Sequence, residues 1–78
     1  MIYVIVIGLK SIIHNMLVSF IIPAYNAEDT IVRCLESIYV LSLKPNEFEV
    51  IVIDDSSMDN TVAEVENYAN SHSKIMVW

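Results

Sequence analysis

The sequence predicts a small α/β domain built on a mainly parallel sheet. Three apolar runs rich in β-branched residues, at positions 17–22, 48–53 and 75–78, have the character of buried strands. A segment with helical spacing of apolar residues separates each pair of runs, which is typical of parallel strands joined by right-handed crossovers. The 78 residues allow one domain at most. Because two helices cover such a sheet only in part, we expect an incomplete α/β unit.

Composition excludes several classes of protein. Apolar residues make up 55% of the chain and the mean hydropathy is +0.54, so intrinsic disorder is excluded. Ten acidic residues against four basic ones make nucleic acid a poor partner. The single glycine, Gly8, excludes the glycine-rich phosphate loops. The single cysteine, Cys34, excludes an intrachain disulfide and favours a reducing compartment, so we expect a cytoplasmic location.

Residues 1–16 are predicted to be an N-terminal apolar extension to a domain at residues 17–78. The opening run MIYVIVIGL is shorter than the roughly 18 apolar residues that a membrane span needs. An extra edge strand is the favoured interpretation, and a weak, peripheral contact with a membrane is the alternative. Met16 directly precedes the first predicted domain strand, which suggests the hypothesis that the functional domain begins at Met16 and that residues 1–15 are an extension from an upstream start.

The first strand of the domain ends at Pro23, because proline cannot donate to a sheet ladder. A turn follows, and Asn26 is predicted to cap the first helix. The core face of that helix is predicted from i, i+3, i+4, i+7 spacing and comprises Ile31, Cys34, Leu35, Ile38 and Leu41.

The second strand ends at the acidic pair Asp54 and Asp55. The second helix is predicted to start near Asp59 or Thr61, and the third strand begins at residue 75. His14 and His72 lie in polar, loop-like stretches without a second ligand at metal spacing, so both are predicted to face solvent.

In parallel sheets, ligands sit beyond the carboxyl ends of the strands. These ends carry residues 23–26 and 54–57. Tyr25 offers a flat face on which a nucleobase can stack, and an aspartate at the neighbouring strand end can accept a hydrogen bond from a base or ribose. An acidic pair repels a bare phosphate. The alternative is that Tyr25 packs within its loop and that Asp54 or Asp55 only caps a turn.

Two motifs together resemble the start of a family 2 glycosyltransferase. VSFIIPAYNAEDTI (residues 18–31) followed by EVIVIDDSSMDNT (residues 49–61) is similar to that family's strand, P-x-Y-N, helix, strand, D-D-x-S-x-D-x-T opening. The resemblance implies the first, Rossmann-like β-α-β-α-β half of a GT-A fold. One departure is Ser56, where the family commonly has glycine; serine suits this position if its backbone stays out of the left-handed region.

The resemblance also implies a nucleotide-diphospho-sugar donor, most often a UDP-sugar. Asp55 would hydrogen-bond the base and Asp54 would support the same strand end. The residues implied to line the pocket or shape its loop are Pro23, Ala24, Tyr25, Asn26 and Glu28. Asp59 is expected to serve helix capping rather than ligand contact.

The family's later elements are absent from the 78 residues. No D-x-D triplet occurs, and no general base can be assigned. We therefore assign no catalytic and no metal-ligating residue, and expect a divalent cation, Mg or Mn, only in a full-length homologue. The chain is expected to bind donor without completing catalysis alone, and to self-associate through its unfinished sheet.

Two other functions are also compatible with the sequence. The run VIVIDDSS (residues 50–57) also resembles the acidic pair of a phosphoacceptor receiver domain, in which two carboxylates bind magnesium. The other alternative is a non-enzymatic, truncated or oligomerising α/β module.

Overall fold

A computed structural model describes the backbone of residues 5–12 and 15–78 and the side chains of residues 18–78. Its elements in chain order are β1 (Ile5–Ile12), β2 (Asn15–Ala24), α1 (Ile31–Tyr39), β3 (Phe48–Asp54), α2 (Thr61–Ala69) and β4 (Ile75–Val77). The predicted α/β class and the β-α-β-α-β order are confirmed. His14 lies outside the described residues.

The four strands form one sheet in the order β1-β2-β3-β4. β2 and β3 are parallel, as are β3 and β4. β1 pairs antiparallel with β2 at the edge, with an irregularity between Ile7 and Lys10. The edge-strand interpretation of the N-terminal run therefore holds for Ile5–Ile12. The division of the chain at residue 16 stays a prediction.

Both helices pack on one face of the sheet. This is expected because the chain steps in the same direction from β2 to β3 to β4, and crossovers between parallel strands are right-handed as a rule. Alternate strand residues supply the core on that face, since side chains in a strand point alternately to its two sides. The buried residues are Phe20, Ile22, Ala24, Phe48, Val50 and Val52 from the strands, with Ile31, Leu35, Ile38 and Val65 from the helices. Full burial of each large apolar side chain contributes about 1.5–3 kcal/mol.

The opposite face of the sheet carries no helix among residues 18–78. Ile53 and Met76 are each 44% exposed there. Trp78 follows β4 and is 75% exposed. The predicted incomplete cover of the sheet is thus found on this face. Neither α1 nor α2, the helices in the described part of the chain, is long and apolar enough to cross a membrane.

Two predictions about α1 are wrong. Thr30, not Asn26, is the N-cap residue, because Asn26 has φ 46° and belongs to the preceding loop. The helix ends at Tyr39, so Leu41 lies beyond it and is 56% exposed instead of buried. The Leu41 prediction failed because the helical spacing of apolar residues in the sequence runs on to Leu41, whereas the helical backbone ends at Tyr39.

Ser56 has φ 59° and lies in the left-handed region, contrary to the expectation for a serine at this position. A Cβ atom in that region clashes with the following carbonyl, which costs about 1–2 kcal/mol. Glycine avoids the clash but loses more backbone entropy on folding.

Substitution Ser56→Gly is expected to raise the free energy of unfolding by about 0.5–1 kcal/mol, since relief of the clash outweighs the entropy loss. Urea titration monitored by circular dichroism measures the change. Ser73→Gly is the matched control, because Ser73 is exposed and has no positive φ. A stabilisation of equal size at both positions contradicts the assignment of strain to Ser56.

An aromatic cluster closes the core at the amino ends of β3 and β4. The Tyr68 and His72 rings stack with centroids 3.9 Å apart, and the Tyr39 ring meets Tyr68 and Phe48 edge-on. The prediction that His72 faces solvent is wrong, because its ring is half-buried against the two tyrosines. The signal was present in the Tyr68–His72 spacing of four residues, which brings side chains together at a helix end.

The Tyr39 hydroxyl donates a hydrogen bond to the Ser73 carbonyl and ties the end of α1 to the loop before β4. Burial, and to a smaller extent Tyr68, raises the pKa of Tyr39, so the hydroxyl remains a donor at neutral pH. The Tyr68 hydroxyl makes no such bond among the described residues.

Substitution Tyr39→Phe is expected to lower the free energy of unfolding by about 0.5–1.5 kcal/mol, the net contribution of one hydrogen bond. Tyr68→Phe removes a hydroxyl without a partner and is expected to change it little. Thermal and urea denaturation of both variants measure the difference. Equal losses in the two variants would show that the Ser73 bond contributes nothing.

Candidate functional site

Two loops meet at the carboxyl ends of β2 and β3. Residues 25–30, between β2 and α1, are called here the Tyr25 loop, and residues 55–60, between β3 and α2, the Asp55 loop. Ala24 and Asp54 are paired at the end of the parallel ladder. The Asp55 N–H then donates to the Ala24 carbonyl at 2.9 Å and extends the ladder by one bond. Tyr25 and Asp55 are therefore neighbours on the same rim of the sheet.

Asn26 joins the two loops through both its backbone and its side chain. Its N–H donates to Ser57 Oγ at 2.9 Å, and its Oδ1 accepts from the Met58 N–H at 2.8 Å. The left-handed backbone of Asn26 permits this arrangement, and asparagine tolerates that conformation better than most residues. These two bonds hold Asn26 against the Asp55 loop, and its role beside a nucleotide stays a prediction.

Thr61 provides a second connection, from inside the core. Its side chain is fully buried, and its Oγ1 accepts from the Ala27 N–H at 2.7 Å. The same hydroxyl donates to Asp59 Oδ1, which also accepts the Thr61 N–H at 3.0 Å. The Thr61 hydroxyl thus both donates and accepts a hydrogen bond, as a buried hydroxyl requires.

Glu28 and Asp59 form a third connection, in which each accepts from a backbone N–H of the other loop. The Glu28 N–H donates to Asp59 Oδ2 at 3.2 Å, and the Asn60 N–H donates to Glu28 Oε2 at 3.4 Å. Asp59 also accepts from the N–H of Thr61, the first residue of α2, but the N-cap residue of that helix is Asn60 and not Asp59.

The Asp59 carboxyl is held in its charged form. The hydrogen bond from the Thr61 hydroxyl is the largest effect and lowers the pKa of Asp59 below its ordinary value. Because the folded-state pKa is lowered, the resulting stabilisation is present above roughly pH 4, the ordinary aspartate value, and is lost as pH falls through the folded-state pKa.

Asp54 has a local partner. Its Oδ2 accepts from the Ser57 N–H at 3.0 Å, and its Oδ1 accepts from the Ser57 hydroxyl. The turn-capping interpretation therefore applies to Asp54. It does not apply to Asp55, whose carboxylate accepts no hydrogen bond among residues 18–78.

Tyr25 and Asp55 are the two predicted site residues with side chains left over for a ligand. Tyr25 is 50% exposed and Asp55 is exposed. Pro23 is half-buried, and Ala24 is buried and reaches the rim through its carbonyl. A ring face and a carboxylate on one rim can stack a planar heterocycle and accept a hydrogen bond from its edge.

The donor set at the loops does not suit a metal ion. No group of three or more His, Cys, Asp or Glu side chains with the spacing of a metal site occurs among the described residues. The Asp54 and Asp59 carboxylates are each occupied by hydrogen bonds within the protein. No step involving a cation is therefore assigned to these residues.

Sequence reasoning did not identify Ser57 and Thr61 as residues that join the loops. Both lie within the second motif: Ser57 is two positions after Asp55, and Thr61 is two positions after Asp59. Their partners lie 31 and 34 positions earlier in the chain, so only the folded arrangement connects them.

Comparison with known proteins gives a consistent result. The model of "Glycosyl transferase family 2" matches residues 19–77. A poly(ribitol-phosphate) beta-glucosyltransferase of Bacillus spizizenii is 32% identical over 80% of this chain and 10% of its own length. A UDP-Glc:alpha-D-GlcNAc-diphosphoundecaprenol beta-1,3-glucosyltransferase of Escherichia coli is 42% identical over 80% of this chain and 24% of its own.

A poly(ribitol-phosphate) beta-N-acetylglucosaminyltransferase of Staphylococcus aureus is 44% identical over 67% of this chain and 9% of its own length. The comparison with solved structures found no match. The chain thus spans between about a tenth and a quarter of these three relatives. The match includes both loops and all three parallel strands, and the chain belongs to glycosyl transferase family 2.

Proposed function

We propose that this chain binds the nucleoside part of a nucleotide-diphospho-sugar donor, with UDP-sugars as the donor class. The observation that carries the proposal is the pairing of Tyr25 and Asp55 on one rim, each with its side chain exposed. The Asp55 N–H bond to the Ala24 carbonyl holds the two residues side by side.

The chemistry of this pair suits uracil. The Tyr25 ring supplies a stacking surface, which contributes about 1–3 kcal/mol per base. The Asp55 carboxylate is an acceptor only, and uracil presents an N–H donor at N3. The neighbouring Asp54 adds negative charge, which favours the base and ribose over the phosphates at this rim.

Membership in the family supports a nucleotide-sugar donor in general. The printed name of the E. coli relative specifies UDP-Glc as its donor, which supports the narrower choice of UDP. Donor binding is as far as the proposal extends, because the 78 residues contain no D-x-D triplet and no assigned general base.

The receiver-domain alternative is not favoured. A receiver needs two carboxylates directed at one magnesium ion, whereas the Asp54 carboxylate is bound to Ser57. The family match points to glycosyl transfer instead.

UDP is expected to stabilise the wild-type protein against heat, by about 2.7 kcal/mol at one hundred times the dissociation constant. Tyr25→Ala is expected to weaken UDP binding roughly ten- to a hundredfold, since it removes the stacking surface. Asp55→Ala is expected to weaken it by about tenfold or more, since it removes a charged acceptor. Isothermal titration calorimetry measures both losses.

Tyr25→Phe and Asp29→Ala are the matched controls. The first keeps the ring, and the second removes an exposed carboxylate of the Tyr25 loop that accepts no hydrogen bond among the described residues. Both are expected to bind UDP like the wild type. The proposal fails if millimolar UDP leaves the melting temperature unchanged, or if Asp29→Ala loses as much affinity as Asp55→Ala.

A further inference from the structure

We infer that Thr61 is a positioning residue that sets the spacing between Tyr25 and Asp55 and thereby the preference for uracil over cytosine. This inference rests on the proposed nucleoside site. Thr61 acts through the set of side-chain hydrogen bonds that join the two loops, called here the interloop clamp. Its side-chain members are Asn26, Glu28, Ser57, Asp59 and Thr61.

Thr61 is the buried anchor of the interloop clamp. It is the one fully buried polar side chain among residues 18–78. Its hydroxyl accepts from the Ala27 N–H in one loop and donates to Asp59 in the other. Removing the hydroxyl leaves a buried N–H without an acceptor, which the loop can relieve only by moving.

The two ligand-facing residues lie next to members of the clamp along the chain. Tyr25 is followed directly by Asn26, which is held by Ser57 and Met58 of the other loop. Asp55 precedes Ser57 by two positions. Movement at the Ala27–Thr61 bond is therefore transmitted within two residues to the backbone that carries the Tyr25 ring.

Selectivity depends on this spacing more than affinity does. Stacking tolerates a shift of the ring, because the contact is spread over a surface. A hydrogen bond tolerates little, because its heavy atoms must lie about 2.7–3.2 Å apart. Uracil donates at N3, whereas neutral cytosine has only an acceptor there, which a carboxylate repels. A displaced loop thus loses the bond that distinguishes the two bases and keeps much of the stacking.

The test compares UDP and CDP affinities of the 78-residue protein by calorimetry, at a temperature well below the melting point of each variant. Thr61→Val replaces the hydroxyl with a methyl group of similar size. It is expected to weaken UDP binding about tenfold, the loss of one hydrogen bond, and to weaken CDP binding less. The ratio of the two dissociation constants therefore falls towards one. Thr61→Ser keeps the hydroxyl and is therefore expected to keep the wild-type ratio of the UDP and CDP dissociation constants.

Thr30→Val is the matched control, because Thr30 is exposed and its hydroxyl reaches only the Ala27 carbonyl of its own loop. It is expected to keep both affinities. Asn26→Gly provides a second route should Thr61→Val fail to fold. Glycine keeps the left-handed backbone, removes the acceptor of the Met58 N–H, and is expected to lower the same ratio.

Three outcomes overturn the inference. In the first, Thr61→Val or Asn26→Gly weakens UDP and CDP by the same factor, as a purely structural role predicts. In the second, both variants keep the wild-type affinities; the nucleoside site then stands and the inference alone fails. In the third, the wild type binds neither nucleotide, and the proposed function fails together with the inference.

Discussion

The parallel pairing of β2 with β3 is the interaction on which the site depends. It brings two strand ends to one rim, and the bond from the Asp55 N–H to the Ala24 carbonyl extends that pairing beyond the last paired residues. The ladder is held in place by Ile22 and Val52, both fully buried beneath the helices. Without this register, Tyr25 and Asp55, which are 30 positions apart in the sequence, would not be neighbours.

The polar residues of the two motifs divide into two groups with different tasks. One group, exemplified by Asp54 and Thr61, has its hydrogen-bonding capacity satisfied within the protein. The other group includes Tyr25, Asp29 and Asp55, whose exposed side chains make no hydrogen bond among residues 18–78. A high number of polar residues in a motif is therefore a poor guide to ligand contact, because several of these side chains hold the loops that present Tyr25 and Asp55.

The two faces of the sheet contribute unequally to stability. The helix-covered face contains the buried core, and the aromatic cluster around Tyr39 closes one end of it. The other face leaves Ile53 and Met76 partly exposed, so its apolar side chains gain less from removal from water. The loops at the rim consequently depend on the packing of α1 and α2 for their position.

The order of elements, the strand that ends at Asp54 and the face of α1 that carries Leu35 could all be predicted from the sequence, because they follow from short-range periodicity. The placement of Tyr25 and Asp55 at strand ends was likewise predictable from the parallel topology. Two features were not predictable: the left-handed backbone of Ser56 and the contact of Thr61 with Ala27. Each depends on partners or loop geometry that only the assembled sheet supplies, and hydrogen bonds between residues more than 30 positions apart leave no periodic trace along the chain.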